Sequence, residues 1–138
     1  MEKKFETTII KTSKELTVKE QIKLKDISDA ISIDTASQEA DFNGTKLRIN
    51  VLFYAVLAIH NEAAKDKDYD NILIVAKNEE NPNEWGERYT TGSTTFIEKF
   101  EEIYEDMVEA GEEEIVIEVI RKDSKNYVGR QFITCTIV

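Results

Sequence analysis

Cysteine, histidine, proline and glycine are all scarce in this chain of 138 residues, which holds one Cys, one His, one Pro and five Gly. A single thiol forms no internal bridge, so Cys135 suits a reducing cytoplasm and excludes a disulfide-stapled secreted scaffold. One histidine, His60, cannot build a zinc site without Cys or His companions, and is expected to be a structural or rim residue. Few glycines and one proline exclude collagen-like and linker compositions. Long apolar runs are also missing: the longest, Val51 to Ile59, falls far short of the roughly 20 residues that cross a bilayer. The opening MEKKFETTIIKTSKE has charge but no apolar core of a leader. One globular cytoplasmic domain without a membrane partner is therefore expected. A chain of this length buries enough surface to need no metal or disulfide.

Charge is abundant and unevenly placed. The net value of -10 argues at first against a polyanionic partner, because phosphate binding is driven by Lys and Arg displacing counterions. Residues 1 to 25, however, carry seven Lys against four Glu, and residues 121 to 138 carry four cations against Asp123. The acid is concentrated in 95 to 114, where nine carboxylates face Lys99 alone. Screening acts over about 8 Å at physiological salt, so an acidic flank and a cationic groove can coexist on one domain.

The hydrophobic pattern predicts the following elements. Lys3 to Lys14 is polar apart from Phe5, Ile9 and Ile10, and its β-prone core lacks a nearby hairpin partner; residues 1 to 14 are expected to form an arm. Thr17 and Glu20 have capping-box spacing, which suggests a helical turn over Val18 to Lys25, with a strand from Ile22 as the alternative. Alternation over Ala30 to Asp34 predicts a strand, the β-branched run from Leu47 to Asn61 a second, and Asn71 to Ala76 a third. Glu62 to Asp70 and Glu79 to Gly86 are expected to be loops. Phe96, Phe100, Ile103, Tyr104 and Met107 share one face at helical spacing, with Thr95 and Glu98 as a capping box and Gly111 as the stop. Ile115 to Ile120 and Gln131 to Val138 are expected strands flanking a basic loop.

Signatures of catalysis are absent. Cys135 lies in an alternating apolar strand without a basic neighbour, so it reads as core. The acid clusters Glu79-Glu80, Asp66-Lys-Asp68 and Glu112-Glu-Glu114 lack EF-hand spacing, and a solvated surface explains them better than a metal. Gly92, Ser93 and Thr94 precede a helix but match no phosphate-binding motif, so an ordinary N-cap loop is expected there. No enzyme activity, metal or cofactor is predicted.

Cations and aromatic rings do occur together. Arg121 to Arg130 holds four cations with Ser124, Asn126 and Tyr127; Lys122, Lys125 and Arg130 could follow phosphates while Tyr127 offers a stacking face. A solvated hairpin loop accounts for this segment equally well. Lys77, Trp85, Arg88 and Tyr89 bracket the loop after the third strand, where Trp85 is either an exposed platform or a lid on the core. Lys46 and Arg48, beside the Asn43-Gly44 turn, add a cationic rim. Phe53 and Tyr54 alternate, so one faces inward and the other outward.

Three strands, a helix and two strands is the connectivity of an OB-fold, a partly open five-stranded barrel. The expected class is thus mainly β with one long helix (α+β), the helix lying between strands 3 and 4, with an N-terminal extension followed by the barrel over 15 to 138. Tyr89-Thr-Thr-Gly-Ser93, the helix start Thr95-Phe-Ile and Ser124-Lys-Asn-Tyr-Val-Gly-Arg-Gln-Phe-Ile-Thr-Cys135 resemble small single-stranded DNA-binding proteins of Gram-positive phages and conjugative plasmids, as do Ser13-Lys-Glu-Leu-Thr17 and Ile22-Lys-Leu-Lys-Asp-Ile27. The likeness covers nearly all of the chain beyond residue 12. It implies an OB-fold that coats single-stranded DNA in replication or plasmid transfer, without catalytic residues. The chain differs from well-known bacterial strand-binding proteins in ending on the apolar Ile133 to Val138 rather than an acidic tail, which puts tail-mediated recruitment in doubt. Expected partners are single-stranded DNA, with duplex DNA and RNA left open, and further copies of the chain through Phe5, Ile9 and Ile10 of the arm. The rival expectation is an acidic DNA mimic whose glutamate-rich helix occupies another protein's DNA groove.

Overall fold

A computed structural model of the chain describes residues 5–61 and 68–138. It is a mixed α+β fold in which a curled sheet dominates. In chain order the elements are β1 (Phe5–Thr12), α1 (Val18–Lys25), β2 (Ile31–Ser32), α2 (Ile33–Phe42), β3 (Arg48–Asn61), β4 (Asp68–Lys77), β5 (Trp85–Thr91), α3 (Thr94–Glu109), β6 (Val116–Asp123) and β7 (Gln131–Ile137). The sheet runs β2-β5-β4-β3-β6-β7, with β1 paired to β3 beside that path. Among the described residues, no helix is long and apolar enough to cross a membrane.

The long strand β3 organises the sheet. Its 14 residues are apolar almost throughout, as suits a strand covered on both faces. One edge pairs with β4 from Val51↔Ala76 to His60↔Asp68. The other edge is shared between β6 at Arg48 to Asn50 and β1 at Ala55 to Asn61. A register shift between Val51 and Phe53 bends the strand where it leaves β4 for β6, as a bulge does.

Curling produces two cores. On the inner face, Tyr54, Val56, Ile72 and Ile74 pack against Phe96 and Phe100 of α3 and against Ile117, Val119, Ile133 and Cys135 of β6 and β7. On the outer face, Phe53, Ala55, Leu57, Leu73 and Val75 pack beneath Leu24 of α1, with Leu16, Ile27 and Trp85 around them. The alternation at Phe53 and Tyr54 thus resolves with Phe53 outward and Tyr54 inward, and both are buried. Tyr54 meets Phe100 and Tyr104 edge-on at 5.1 and 4.9 Å and its hydroxyl donates to Glu101 at 3.3 Å.

Several expectations need correction. Among the described residues the sheet has seven strands and there are three helices, where five strands and one long helix were expected. Only Ile31 and Ser32 of the expected strand over Ala30 to Asp34 are extended. Ser32 then caps α2 by accepting from the Thr35 amide, so the alternation stops after two residues. The strand β5 begins inside the expected loop over Glu79 to Gly86; its polar composition hides it, and pairing with β4 creates it. Gly86 is required there, because a Cβ would stand 2.6 Å from the Lys77 carbonyl oxygen. Helix α3 is capped by Ser93, whose hydroxyl accepts from the Phe96 amide, not by Thr95. Gly111 does follow the helix at φ +77. The arm pairs within the chain: β1 joins β3, a partner some fifty positions away in sequence. By contrast α1 occupies the expected span, and the Thr17–Glu20 capping box is formed in both directions.

Candidate nucleic-acid interface

The bend in β3 leaves a groove. Where β3 turns from β4 to β6, a cavity of about 850 Å³ opens, lined by Arg48, Asn50, Lys77, Glu80, Trp85 and Tyr89 among others. Four of the sequence-predicted residues, Arg48, Lys77, Trp85 and Tyr89, therefore meet at one place. Lys77 and Trp85 are partners across the β4–β5 ladder. Tyr89 is half-buried, and its hydroxyl donates to Glu87 at 3.2 Å; burial first, then the Glu87 charge, raises its pKa. Arg48 donates through Nε to Glu118 at 3.0 Å. Glu79, Glu80 and Glu87 also line the groove, so its walls mix both charge signs.

Trp85 is neither a free platform nor a sealed lid. Its ring sits edge-on to Phe53 with centroids 5.1 Å apart, and the Lys23 ammonium stands 4.7 Å from the ring centroid. The Lys14 ammonium lies 5.1 Å from that of Phe53. Cations from the segment before and within α1 thus already occupy these aromatic faces, an attraction of the ring quadrupole for positive charge. Arg88 belongs to the same assembly. Its Nη1 donates to the carbonyls of Lys23 at 2.9 Å and Asp26 at 2.7 Å, holding the last turn of α1 to the sheet where unpaired helix carbonyls need donors.

The second group is the β6–β7 hairpin tip. The Ser124 amide donates to the Arg130 carbonyl, the Arg130 amide to the Tyr127 carbonyl, and Gly129 takes φ +80. Tyr127 is 62% exposed and Val128 fully so. The Arg130 guanidinium lies 5.6 Å from the Tyr127 ring centroid, and Lys122, Lys125 and Asn126 are exposed around it. Arg121 turns elsewhere, donating to the Asp34 carbonyl and Ser37 hydroxyl, both at 3.1 Å. Because Arg48 pairs with Glu118, Ser124 lies six residues further along β6, about 20 Å from the groove at strand rise. The two predicted patches are separate. Lys46 joins neither, since its ammonium pairs with Asp41 at 3.0 Å.

No family model, curated protein or solved structure matches the chain.

Cys135 is buried in β7, and burial pushes its thiol up to about 12, a poor nucleophile. Among the described residues, no group of three or more His, Cys, Asp or Glu side chains is placed to hold a metal. The side chains of His60 and Phe5, and Asp66 altogether, lie outside the described residues. Gly92 fits beneath Asn71, whose Oδ1 would stand 2.5 Å from an added Cβ. The cavity beside Gly92 is lined by Asp26, Asp70 and Glu98 against Lys25, an acidic balance that disfavours a phosphate. Sequence reasoning missed the cover formed by Leu16, Leu24 and Ile27; the capping box at Thr17 was its only signal. It also missed Asn50, which no motif distinguishes.

Proposed function

We propose that the protein is a non-enzymatic single-stranded DNA-binding protein built on an OB-type barrel. The topology supports this: the bent β3 pairs with both β4 and β6, β5 follows β4, α3 bridges β5 to β6, and β7 returns on β6. That is the three-strand, helix, two-strand order of the OB-fold, counted from β3. Residues 5 to 42, from β1 through α2, are then an extension folded onto the barrel, and β1 lengthens its sheet. The observation that carries the function is the convergence of Arg48, Lys77, Trp85 and Tyr89 on one groove at the bend. Ring and cation together suit a strand whose bases are unstacked. The exposed Tyr127 with Lys122, Lys125 and Arg130 supplies a second contact point, about 20 Å along β6.

Coating of DNA would follow if copies associate through β1. Among the described residues no strand pairs with its outer edge, and Ile10 is 52% exposed, whereas Ile9 packs inward. The setting would be phage replication or plasmid transfer. Fluorescence anisotropy of a labelled single strand over a salt series tests the function: affinity should fall as salt rises, and a flat response at low salt rejects it. A flat response would instead favour the acidic mimic. That alternative draws on Glu98, Glu105, Asp106 and Glu109 of α3, which make no ion pair among the described residues.

A further inference from the structure

Two exposed surfaces of the chain complement each other. The first is an open cavity of about 1190 Å³, formed where the end of β3 and the start of β4 meet the end of α1 and the start of α3. Its apolar lining comes from the buried Ile59, the half-buried Ile27 and Ile97, and Tyr69, which is 51% exposed. The exposed carboxylates of Asp26, Asp70 and Glu98 surround it against Lys25. The second surface is the β6–β7 hairpin tip. There Val128 and Tyr127 stand in water, with Lys122, Lys125 and Arg130 around them against Asp123. Burying apolar side chains lowers their free energy, and an apolar tip rimmed by cations matches an apolar depression rimmed by carboxylates in both respects.

The two surfaces stand at opposite ends of the sheet. Ile59 is near the end of β3, whereas β6 runs antiparallel to the start of β3, with Arg48 opposite Glu118, and carries the tip further away. A tip therefore cannot reach the cavity of its own chain. It reaches that of another copy, and a donor and an acceptor at opposite ends make head-to-tail contacts rather than a two-fold dimer. We propose that the hairpin tip of one copy docks in this cavity of the next. Tyr127 and Val128 enter against Ile27, Ile59 and Tyr69, and Lys125 and Arg130 lie beside Asp70 and Glu98. The tip cannot hold a neighbour and a strand at once, so the association belongs to the protein free of DNA. One hairpin tip buries less than the about 800 Å² per partner of a standard interface, so the contact is weak, with a Kd on the order of 0.1 mM.

The test is sedimentation equilibrium of the full chain without DNA at low salt, over about tenfold in concentration on either side of that Kd. The average mass should rise with concentration and fall as salt screens the contact. Lys125→Glu with Arg130→Glu, and separately Asp70→Lys with Glu98→Lys, should each raise the Kd at least about tenfold by setting like charges against each other. Mixed in equal amounts, the two variants should associate as the native chain does, because each reversed surface then meets one of opposite sign. All four positions are exposed, so melting temperatures should stay native. A native mass independent of concentration, a mass unmoved by either reversal, or a mixture no heavier than its parts would overturn the inference. No step of this test contains DNA, so strand binding stands or falls separately by anisotropy.

Discussion

Replacing Arg88 separates a structural cation from a DNA-binding one. In sequence Arg88 belongs to the basic group around Trp85. In the fold, its guanidinium spans two carbonyls at the end of α1, and its side chain is only 13% exposed. Hydrogen bonds from charged donors are worth about 1.5–3 kcal/mol each, but the carbonyls freed by Arg88→Met can take water, so the lower end applies. The contact with Asp29, at 4.0 Å and with Asp29 85% exposed, adds little. The expected loss is therefore about 2–3 kcal/mol in all, or roughly 8–12 °C in melting temperature for a domain of this size. Chemical denaturation followed by the emission of Trp85, the single tryptophan, measures it directly, since the loosened α1 carries Lys23 away from the indole. Affinity for a single strand and its salt slope should be unchanged. A native melting temperature together with a salt slope shallower by about 0.7 unit, the mark of one lost phosphate contact on a single strand, would show that Arg88 points to DNA instead.

Three further outcomes follow from the same geometry. Changing Lys122, Lys125 and Arg130 together to Ala should weaken binding and flatten the salt slope by about two units, near 0.7 per lost cation on a single strand, in anisotropy titrations; an unchanged slope would return the hairpin to the role of a solvated loop. Leu24→Ala should cost about 2–5 kcal/mol by opening a cavity over Phe53, measured by urea denaturation, and a cost below about 1 kcal/mol would mean that α1 is not part of the core. Tyr54 titrates above its ordinary value, through burial first and then the charge of Glu101. The folded state therefore favours the protonated phenol, so its contribution is complete below the unfolded value near 10 and is lost as pH rises further. Tyr54→Phe should remove part of the alkaline fall in stability above pH 10, and a parallel decline in both proteins would assign it elsewhere.

Features carried by local chemistry were legible in the residues. The Thr17–Glu20 capping box needs only four neighbours, so the start of α1 could be read, and the structure resolves the alternative of a strand from Ile22 in favour of the helix. The apolar stripe Phe96, Phe100, Ile103 and Met107 requires a helix whatever it packs on, and β3, β6 and β7 announce themselves by sustained β-branched runs. The hairpin cations are likewise readable, because a loop between two strands keeps its side chains outside. Where a segment takes its conformation from a distant partner, the pattern is silent. The polar Trp85–Thr91 becomes a strand because β4 offers its edge, and Phe5–Thr12 because β3, pairing with β4 on its other side, still has a free stretch beside it.

Composition and periodicity by themselves determined a mixed α+β fold with an acidic helix and a basic hairpin, since burial periods and charge runs are properties of neighbouring residues. Tertiary structure decided which cations are free. Arg88 is drawn onto α1 and Lys46 onto Asp41, Arg48 shares its guanidinium with Glu118 at the rim of the groove, and Lys77 lines the same groove without an ion pair among the described residues. Pairings across a fold depend on where the chain returns in space, and no local pattern encodes that.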